Sequence, residues 1–589
     1  MTLLKRFIML LACVAGCSGS SFAADTPQRP NFVLILLDDA ALMDLGAFGG
    51  EARTPNIDAL AAAGAIVTNY HTSPLCSPSR AMLLTGIDSH KTGVSTIEEV
   101  LPPELEGKPG YSLRLEPGVV TVATRLKKAG YRTSMAGKWH LGHGEADLPS
   151  AHGFDRSLAL DASGADNWEQ KPYMPYYQHA PWFEDGKPTT LPENFYSSEL
   201  LVDRAINYIG KADPAGAPFF AYVAFQAVHI PVQAPKEFSD RYKGRFDRGW
   251  EVLQQERWAR AKSLGLVPAD APIPSMPANA RKWDSLTADE KRIYARSMEV
   301  YSGMIEAMDH HVGRLVTHLK DTGQFDNTVF IVTSDNGPEP SDPVHAQFMN
   351  LWMMTHGYDW QLDNLGEKGS LAFIGPEWAA AAAAPGKLFK FLTSQGGLHV
   401  PLVMSGPGIK EGHRLSATTF VTDVTPTILE LSGVGLEQAA EEVQITGKSL
   451  LPALSGASDV VRGPDEVVGT EVSGNAALYR GTYKIVRYAP PHGDNAWHLY
   501  DLSTDPGETR DLSTEKPELF ASMQADYAAY EKRMGVLPLP PGYDVQKQVA
   551  TNAIKKQISA YWWVLVIAAG VLAAMMYFGW RIARRAWAR

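Results

Sequence analysis

PNFVLILLDDA, Pro30 to Ala40, is an unbroken apolar run from Phe32 to Leu37 closed by two acids, Asp38 and Asp39. A strand with one face in water alternates apolar and polar residues. This run does not, so it predicts a strand buried on both faces. Such a strand needs helices above and below its sheet, and the flanking sequence supplies them. TPNIDALAAAG reads as a helix with Thr54 or Asn56 at its start and Gly64 at its stop. VVTVATRLKKAGYRTSMAGKWHLG repeats the pattern, a helix ended by Gly130 and a strand ending near Lys138. PFFAYVAFQAVHIP reads as a strand ending at His229, and NTVFIVTSDNG as one ending at Asp335-Asn336. Between these two lies a long amphipathic helix, IYARSMEVYSGMIEAMDHHVGRLVTHLKDTG. The class is α/β: a large, mostly parallel sheet covered by helices on both faces.

Asp38, Asp39, Lys138, His140, His229, Asp335 and Asn336 all fall just past the C-terminal ends of apolar strands. In open α/β sheets that rim is where ligands bind. Any one of them is ordinary as a cap or a turn residue; that explanation fits all of them together poorly. From about Gly469 the texture changes. ALYRGTYKIVRYAP and AWHLYDLSTDPGETRDL are short alternating runs with Gly and Asp-Pro turns, and PELFASMQADYAAYEKRM follows as a helix. They predict a smaller C-terminal domain built on a short antiparallel sheet.

The two ends differ from the middle. Lys5 and Arg6, the apolar run Phe7 to Gly16 and the small residues after it read as a signal peptide over 1–23, cleaved before Ala24. Val14-Ala15-Gly16-Cys17 offers lipidation at Cys17 as the alternative. Ala560 to Trp580 is uncharged and meets the ~20 residues that cross a bilayer as a helix. Tyr561, Trp562 and Trp563 edge it on one side, Tyr577 and Trp580 on the other, and Arg581, Arg584, Arg585 and Arg589 follow. The expected organisation is an α/β domain over 24–455, the smaller domain over 456–540, a tether over 541–560, a transmembrane helix over 561–580 and a cytoplasmic tail over 581–589. The bulk of the chain is then exported and anchored at the periplasmic face of a bacterial inner membrane. The net charge of −11 argues against a nucleic-acid partner.

PLCSPSRAMLLTG, Pro74 to Gly86, holds the one cysteine outside the leader. Alone in an oxidising compartment, Cys76 excludes a disulfide framework. Ser77 suits a helix cap, Pro78 its first position and Gly86 its end. Residue 76 then lies at a helix N-terminus, where backbone N–H groups favour an anion, and Arg80 adds a cation one turn in. A buried structural cysteine and a thiolate nucleophile are the competing readings.

Cys76-x-Pro78-Ser79-Arg80, followed by Ala81-x-Leu83-Leu84-Thr85-Gly86, resembles the signature of the type I sulfatases of the alkaline phosphatase superfamily. The resemblance runs from about Pro30 to Leu537 and is greatest to large bacterial arylsulfatases. In that family a formylglycine-generating enzyme oxidises the cysteine to an aldehyde. The resemblance implies that Asp38, Asp39, Asp335 and Asn336, with the modified residue 76, hold one divalent cation. Oxygen ligands favour Ca²⁺, with Mg²⁺ also possible, over zinc. It further implies Lys138 and His140 from GKWHLG, His229 from VHIP, and Lys390 from KFLTSQGG as catalytic or substrate-binding groups; Gln395 stands where the family usually has Glu. The implied reaction is hydrolysis of sulfate monoesters, aryl sulfates first, through a covalent sulfate on residue 76. The substrate is a sulfated small molecule or glycan. Lys138 and Lys390 bear the sulfate charge, His229 or Lys390 protonates the leaving alcohol, and His140 takes the proton that releases sulfate. Two rivals stand beside this reading: a phosphonate monoester or phosphodiester hydrolase of the same superfamily, and an unmodified, inactive binder of sulfated glycans. The loops Asp161 to Asn194 and Phe238 to Leu286 are where specificity is expected. Trp168, Tyr173, Tyr176, Tyr177 and Trp182 in the first serve either for stacking on an aryl or sugar group or for packing.

Overall fold

The computed structural model describes residues 29–345 and 349–587. The expected signal peptide, with Cys17, lies outside the described residues. The main sheet has ten strands. Across it run His413–Leu415, Gly64–Val67, Leu402–Ser405, Thr328–Ser334, Asn31–Leu37, Phe219–Ala224, Arg132–Lys138, Arg156–Leu160, Trp182–Glu184 and Lys187–Pro188. The middle, from Thr328–Ser334 to Arg156–Leu160, is parallel, but antiparallel pairs flank it on both sides. The sheet is therefore mixed. The short flanking strands carry too little apolar sequence to betray their direction.

The opening stretch sits where its composition demands. Val33, Ile35 and Leu37 enter one hydrophobic core, Phe32, Leu34 and Leu36 the other, and all six are fully buried. Each such side chain contributes roughly 1.5–3 kcal/mol on burial, which is why no polar residue interrupts the run. The helix Ala288–Asp321 covers one face. It starts with a capping box in which Thr287 accepts from the Glu290 backbone and the Glu290 side chain accepts from the Thr287 N–H at 2.7 Å. Gly137, one residue before the end of Arg132–Lys138, has φ of +123°, and a Cβ there would lie 1.8 Å from the Ala224 carbonyl oxygen of the adjacent strand.

Val467–Val472, Asn475–Arg480, Tyr483–Arg487 and Trp497–Asp501 form a separate four-stranded antiparallel sheet, and the helix Pro517–Met534 packs on it. Buried polar links tie this unit to the main body. His90 meets Glu471 at 2.9 Å, Tyr530 donates to Asp88 at 2.9 Å, and Lys484, paired with Glu508 inside the unit, donates to the Thr393 carbonyl at 2.7 Å.

The C-terminal expectation needs correction. No helix among the described residues is long and apolar enough to cross a membrane. The expected span 561–580, the cytoplasmic tail 581–589 and anchoring at the periplasmic face of the inner membrane therefore have no support. The last helix runs Val545–Trp587, but its backbone leaves helical values at Tyr561, with φ −118° and ψ 18°, at the head of the apolar run. The tether is helical and docked as well. Tyr543 donates to the Val100 carbonyl at 2.7 Å, and Asn552 donates to the carbonyls of Glu99 and Leu101 at 3.0 Å each. Lys556 lies 3.5 Å from Glu98, and Val545 and Val549 pack against Leu75, Ile97 and Val100.

Candidate active site

Four adjacent parallel strands end on one rim, and the loops beyond them gather residues that lie far apart in sequence. Asp38 and Asp39 follow Asn31–Leu37, Asp335 and Asn336 follow Thr328–Ser334, Lys138 closes its own strand, and His229 lies in the loop after Phe219–Ala224. Lys390 comes from a turn tied to this rim by its N–H, which donates to the Pro338 carbonyl at 3.2 Å, and by the Phe391 N–H, which donates to Pro74 at 2.9 Å. Asp39 and His140 are non-glycine residues at positive φ, 68° and 58°. Backbone strain of that kind costs on the order of 1–3 kcal/mol and collects at functional sites.

Cys76 opens a helix, Cys76–Thr85, in which all ten residues are buried. Leu75 is its cap residue and no side chain caps it, so Ser77 and Pro78 lie inside the first turn rather than before it. Gly86 ends it in the left-handed region, as expected. The Cys76 Sγ lies 3.6 Å from Asp38 and 3.8 Å from Asp39. Burial pushes this thiol well above its ordinary range, which removes support for a thiolate nucleophile.

The charges interlock. Lys138 Nζ donates to both Asp38 oxygens at 2.7 and 2.9 Å. Arg80 holds Asp335 at 2.7 Å through Nη2 and donates to the Lys138 carbonyl at 2.8 Å through Nη1. Lys390 meets Asp39 at 2.9 Å, and the His229 Nε2 lies 3.7 Å from Asp39. Burial works against charge on Asp38, but Lys138 and Arg80 outweigh it and hold its pKa low. Asp39 differs: burial, with Asp38, Glu339 and Asp335 adding repulsion against the pull of Lys390, pushes it up to about 8. Burial also depresses His140 and His229 far below the usual histidine range, with Lys138 acting on the first and Lys390 on the second, so both rings are neutral. Lys390 overcomes its own burial through Asp39, Cys76 and Glu339 and stays protonated.

This donor set fits a divalent cation. Asp38, Asp39, Cys76 and Asp335 can each offer one atom with all four within 4.8 Å of one another. The Asn336 Oδ1 is buried and has no hydrogen-bond partner, although its Nδ2 donates to Asp39 at 2.6 Å. A cation would give that oxygen a ligand role and offset the repulsion at Asp39.

Cys76, His140, His229 and Lys390 line one cavity of about 1250 Å³; Asp38, Asp39, Arg80, Lys138, Asp335 and Asn336 lie behind its wall. Sequence reasoning missed Glu339, which pairs with Lys390 at 2.6 Å and lines the same cavity. Its signal was slight, an acid three residues past Asn336 in the same turn. Tyr173 sets its ring edge-on to His229 at 5.3 Å, while Tyr177 donates to Glu99. Gln395 takes a structural place: its side chain meets His71 at 3.0 Å and donates to Tyr479, and its N–H donates to Glu508.

Comparison with known proteins accords with this arrangement. The Sulfatase family model matches residues 30–434. An arylsulfatase of Klebsiella aerogenes is 37% identical over 429 residues, covering 71% of this chain and 89% of that protein. An uncharacterized sulfatase of Schizosaccharomyces pombe is 36% identical over 537 residues, 88% of this chain and 96% of that one. Among solved structures, Ps i-CgsB in complex with k-i-k-neocarrahexaose aligns with a TM-score of 0.63 at 23% identity, covering 90% of this chain and 98% of that chain, a likeness of fold. A family model spanning well over half of the chain, and two relatives above 35% identity along most of it, make this chain a member of the sulfatase family, a hydrolase of sulfuric esters.

Proposed function

We propose that the chain hydrolyses sulfate monoesters, aryl sulfates among them, with residue 76 as formylglycine. One observation carries this: the side chain of residue 76 is held at a helix N-terminus within 4 Å of two carboxylates, in a nest of buried lysines, histidines and acids. The Sγ marks the place that the oxygens of a hydrated aldehyde would take in the mature protein, where they would supply the nucleophile for sulfur. Asp38, Asp39, Asp335, Asn336 and residue 76 would hold a divalent cation, Ca²⁺ or Mg²⁺, which would supply positive charge beside the nucleophile and the sulfate.

The chain's own residues do the rest. Lys390 at the cavity wall, with Lys138 one layer behind it on Asp38, offsets developing negative charge on the sulfate oxygens. Arg80 fixes Asp335 and the Lys138 backbone, and so fixes the geometry of the acids. Of the two groups able to protonate the departing alcohol, Lys390 carries a proton and His229 is neutral. His140, also neutral, accepts the proton whose loss releases sulfate.

The family relatives include an arylsulfatase. One fold neighbour was solved in complex with its substrate D-glucosamine-2-N,6-O-disulfate and another in complex with k-i-k-neocarrahexaose. Two measurements test the reading. Mass spectrometry of the peptide 74–80 from active protein should find the aldehyde; an intact thiol in fully active material would overturn it. Hydrolysis of 4-nitrophenyl sulfate should exceed that of bis(4-nitrophenyl) phosphate by specificity constant, and the reverse order would place the chain among the phosphodiesterases of the superfamily.

A further inference from the structure

The cavity that reaches Cys76 does not end at the sulfate. It runs outward between the segment Ile97–Val100, the turn Tyr173–Pro175, the helix Met349–Thr355 and the final helix as far as Tyr561. Away from the charged end large apolar side chains stand in its walls, Leu351 and Trp352 on one side, Val549, Ile554, Ile558 and Tyr561 on another, with neutral polar ones such as Gln546 and Gln557 between them. Ile554 is 59% exposed and Leu351 61% exposed, large apolar side chains left uncovered at the mouth. Among the described residues lining it there is one lysine, Lys390, already paired with Asp39 and Glu339, and no arginine. Glu99, Glu339 and Asp342 also line it and would repel a second anionic group. A polysulfated glycan would need cations along its length, and among the described residues these walls offer one lysine.

Resting on the proposed sulfatase chemistry, we infer that the alcohol half of the substrate is a large apolar group carrying a single sulfate. The geometry assigns the helix 545–561 as the wall that binds it. The cavity exceeds the ~300–1,000 Å³ typical of sites for drug-sized ligands, so a lone phenyl ring would leave most of it unfilled. The final helix is held against the cavity by Asn552 and Lys556, which face the carbonyls and carboxylate of the segment 98–101.

The test uses the full chain and a series of 4-alkylphenyl sulfates from methyl to octyl. The alkyl group barely alters the leaving phenol, so chain length reports binding alone. The specificity constant should rise about two- to fourfold per methylene over the first few carbons, the scale of burying a CH₂ group. Ile554→Gln and, separately, Ile558→Gln, at positions more than half exposed and so tolerant of a polar side chain, should each cut the octyl-to-methyl ratio by about tenfold. In Cys76→Ala protein, calorimetry should show 4-octylphenyl sulfate binding with a negative heat-capacity change. A flat series, or ratios unmoved by both substitutions, would overturn the inference while leaving the sulfatase chemistry intact. If aldehyde-bearing protein hydrolysed none of the series, 4-methylphenyl sulfate included, the proposed function would fall and this inference with it.

Discussion

Lys390 is the one lysine that both lines the cavity and touches the acid cluster. Lys390→Ala should lower kcat on 4-nitrophenyl sulfate by about 10² or more, the scale for losing a charge-stabilising donor; a loss below about tenfold would show that Lys138 alone suffices. Asn336 carries the unpartnered oxygen of the site. Asn336→Ala should weaken Ca²⁺ binding by about 10- to 100-fold in calorimetric titration, the loss known for disturbing a metal's ligand shell. Unchanged affinity would place the cation elsewhere. Asp38, Asp39, Asp335 and Asn336 could be picked out in the sequence, because an apolar strand run marks its own end and these polar residues sit directly after it; Lys390 came only from the family resemblance. Glu339 could not be picked out, since its importance comes from Lys390, which stands more than 50 residues away in sequence and reaches it only through the fold.

At the scale of single elements, Gly137 and His90 carry separable predictions. A methyl group on Gly137 would meet the carbonyl oxygen of Ala224, a backbone atom that cannot move without opening the ladder between the two strands. Gly137→Ala should cost more than about 3 kcal/mol, at the severe end for single substitutions, and shift Lys138 with it; denaturant unfolding against the parent chain decides this. His90 begins the link between the short helix Ser89–Thr92 and the antiparallel sheet. Burial opposes its charge, but hydrogen bonding to Asp88 and Glu471 prevails and holds its pKa at about 9. Since that value lies above the unfolded ~6.5, the stabilisation is complete below pH 6.5 and is lost as pH rises through about 9. It amounts to something on the order of 3 kcal/mol. In His90→Gln the fall in stability between pH 6.5 and 9.5 should shrink by that order. Parallel pH profiles for the two proteins would refute the assignment.

For the whole molecule, sequence reasoning was strong in the middle and weak at the ends. The parallel centre declared itself through runs such as Phe32 to Leu37, while Trp182–Glu184 and Lys187–Pro188 are too short to show direction. The segment 541–560 read as a tether between the smaller domain and the expected span. What holds it is side-chain donors on backbone carbonyls, Asn552 above all, and sequence periodicity does not report those. A chain ending at Gly542 should therefore uncover Ile97 and Val100 and lose about 2 kcal/mol, roughly the net worth of two hydrogen bonds to carbonyls. An unchanged thermal midpoint would mean that the helix is only loosely attached. The buried Lys484–Glu508 pair sets a clock. Lys484 also donates to the Thr393 carbonyl at 2.7 Å, and Glu508 accepts from the Gln395 N–H, so the turn that follows Lys390 is completed by residues made late in synthesis. Roughly 400 residues separate Cys76 from Lys484. At about 5–20 residues per second, some 20–80 s pass between the emergence of one and of the other. Through that interval the rim is incomplete and the thiol is not yet enclosed; once the turn closes, the side chain is only 1% exposed.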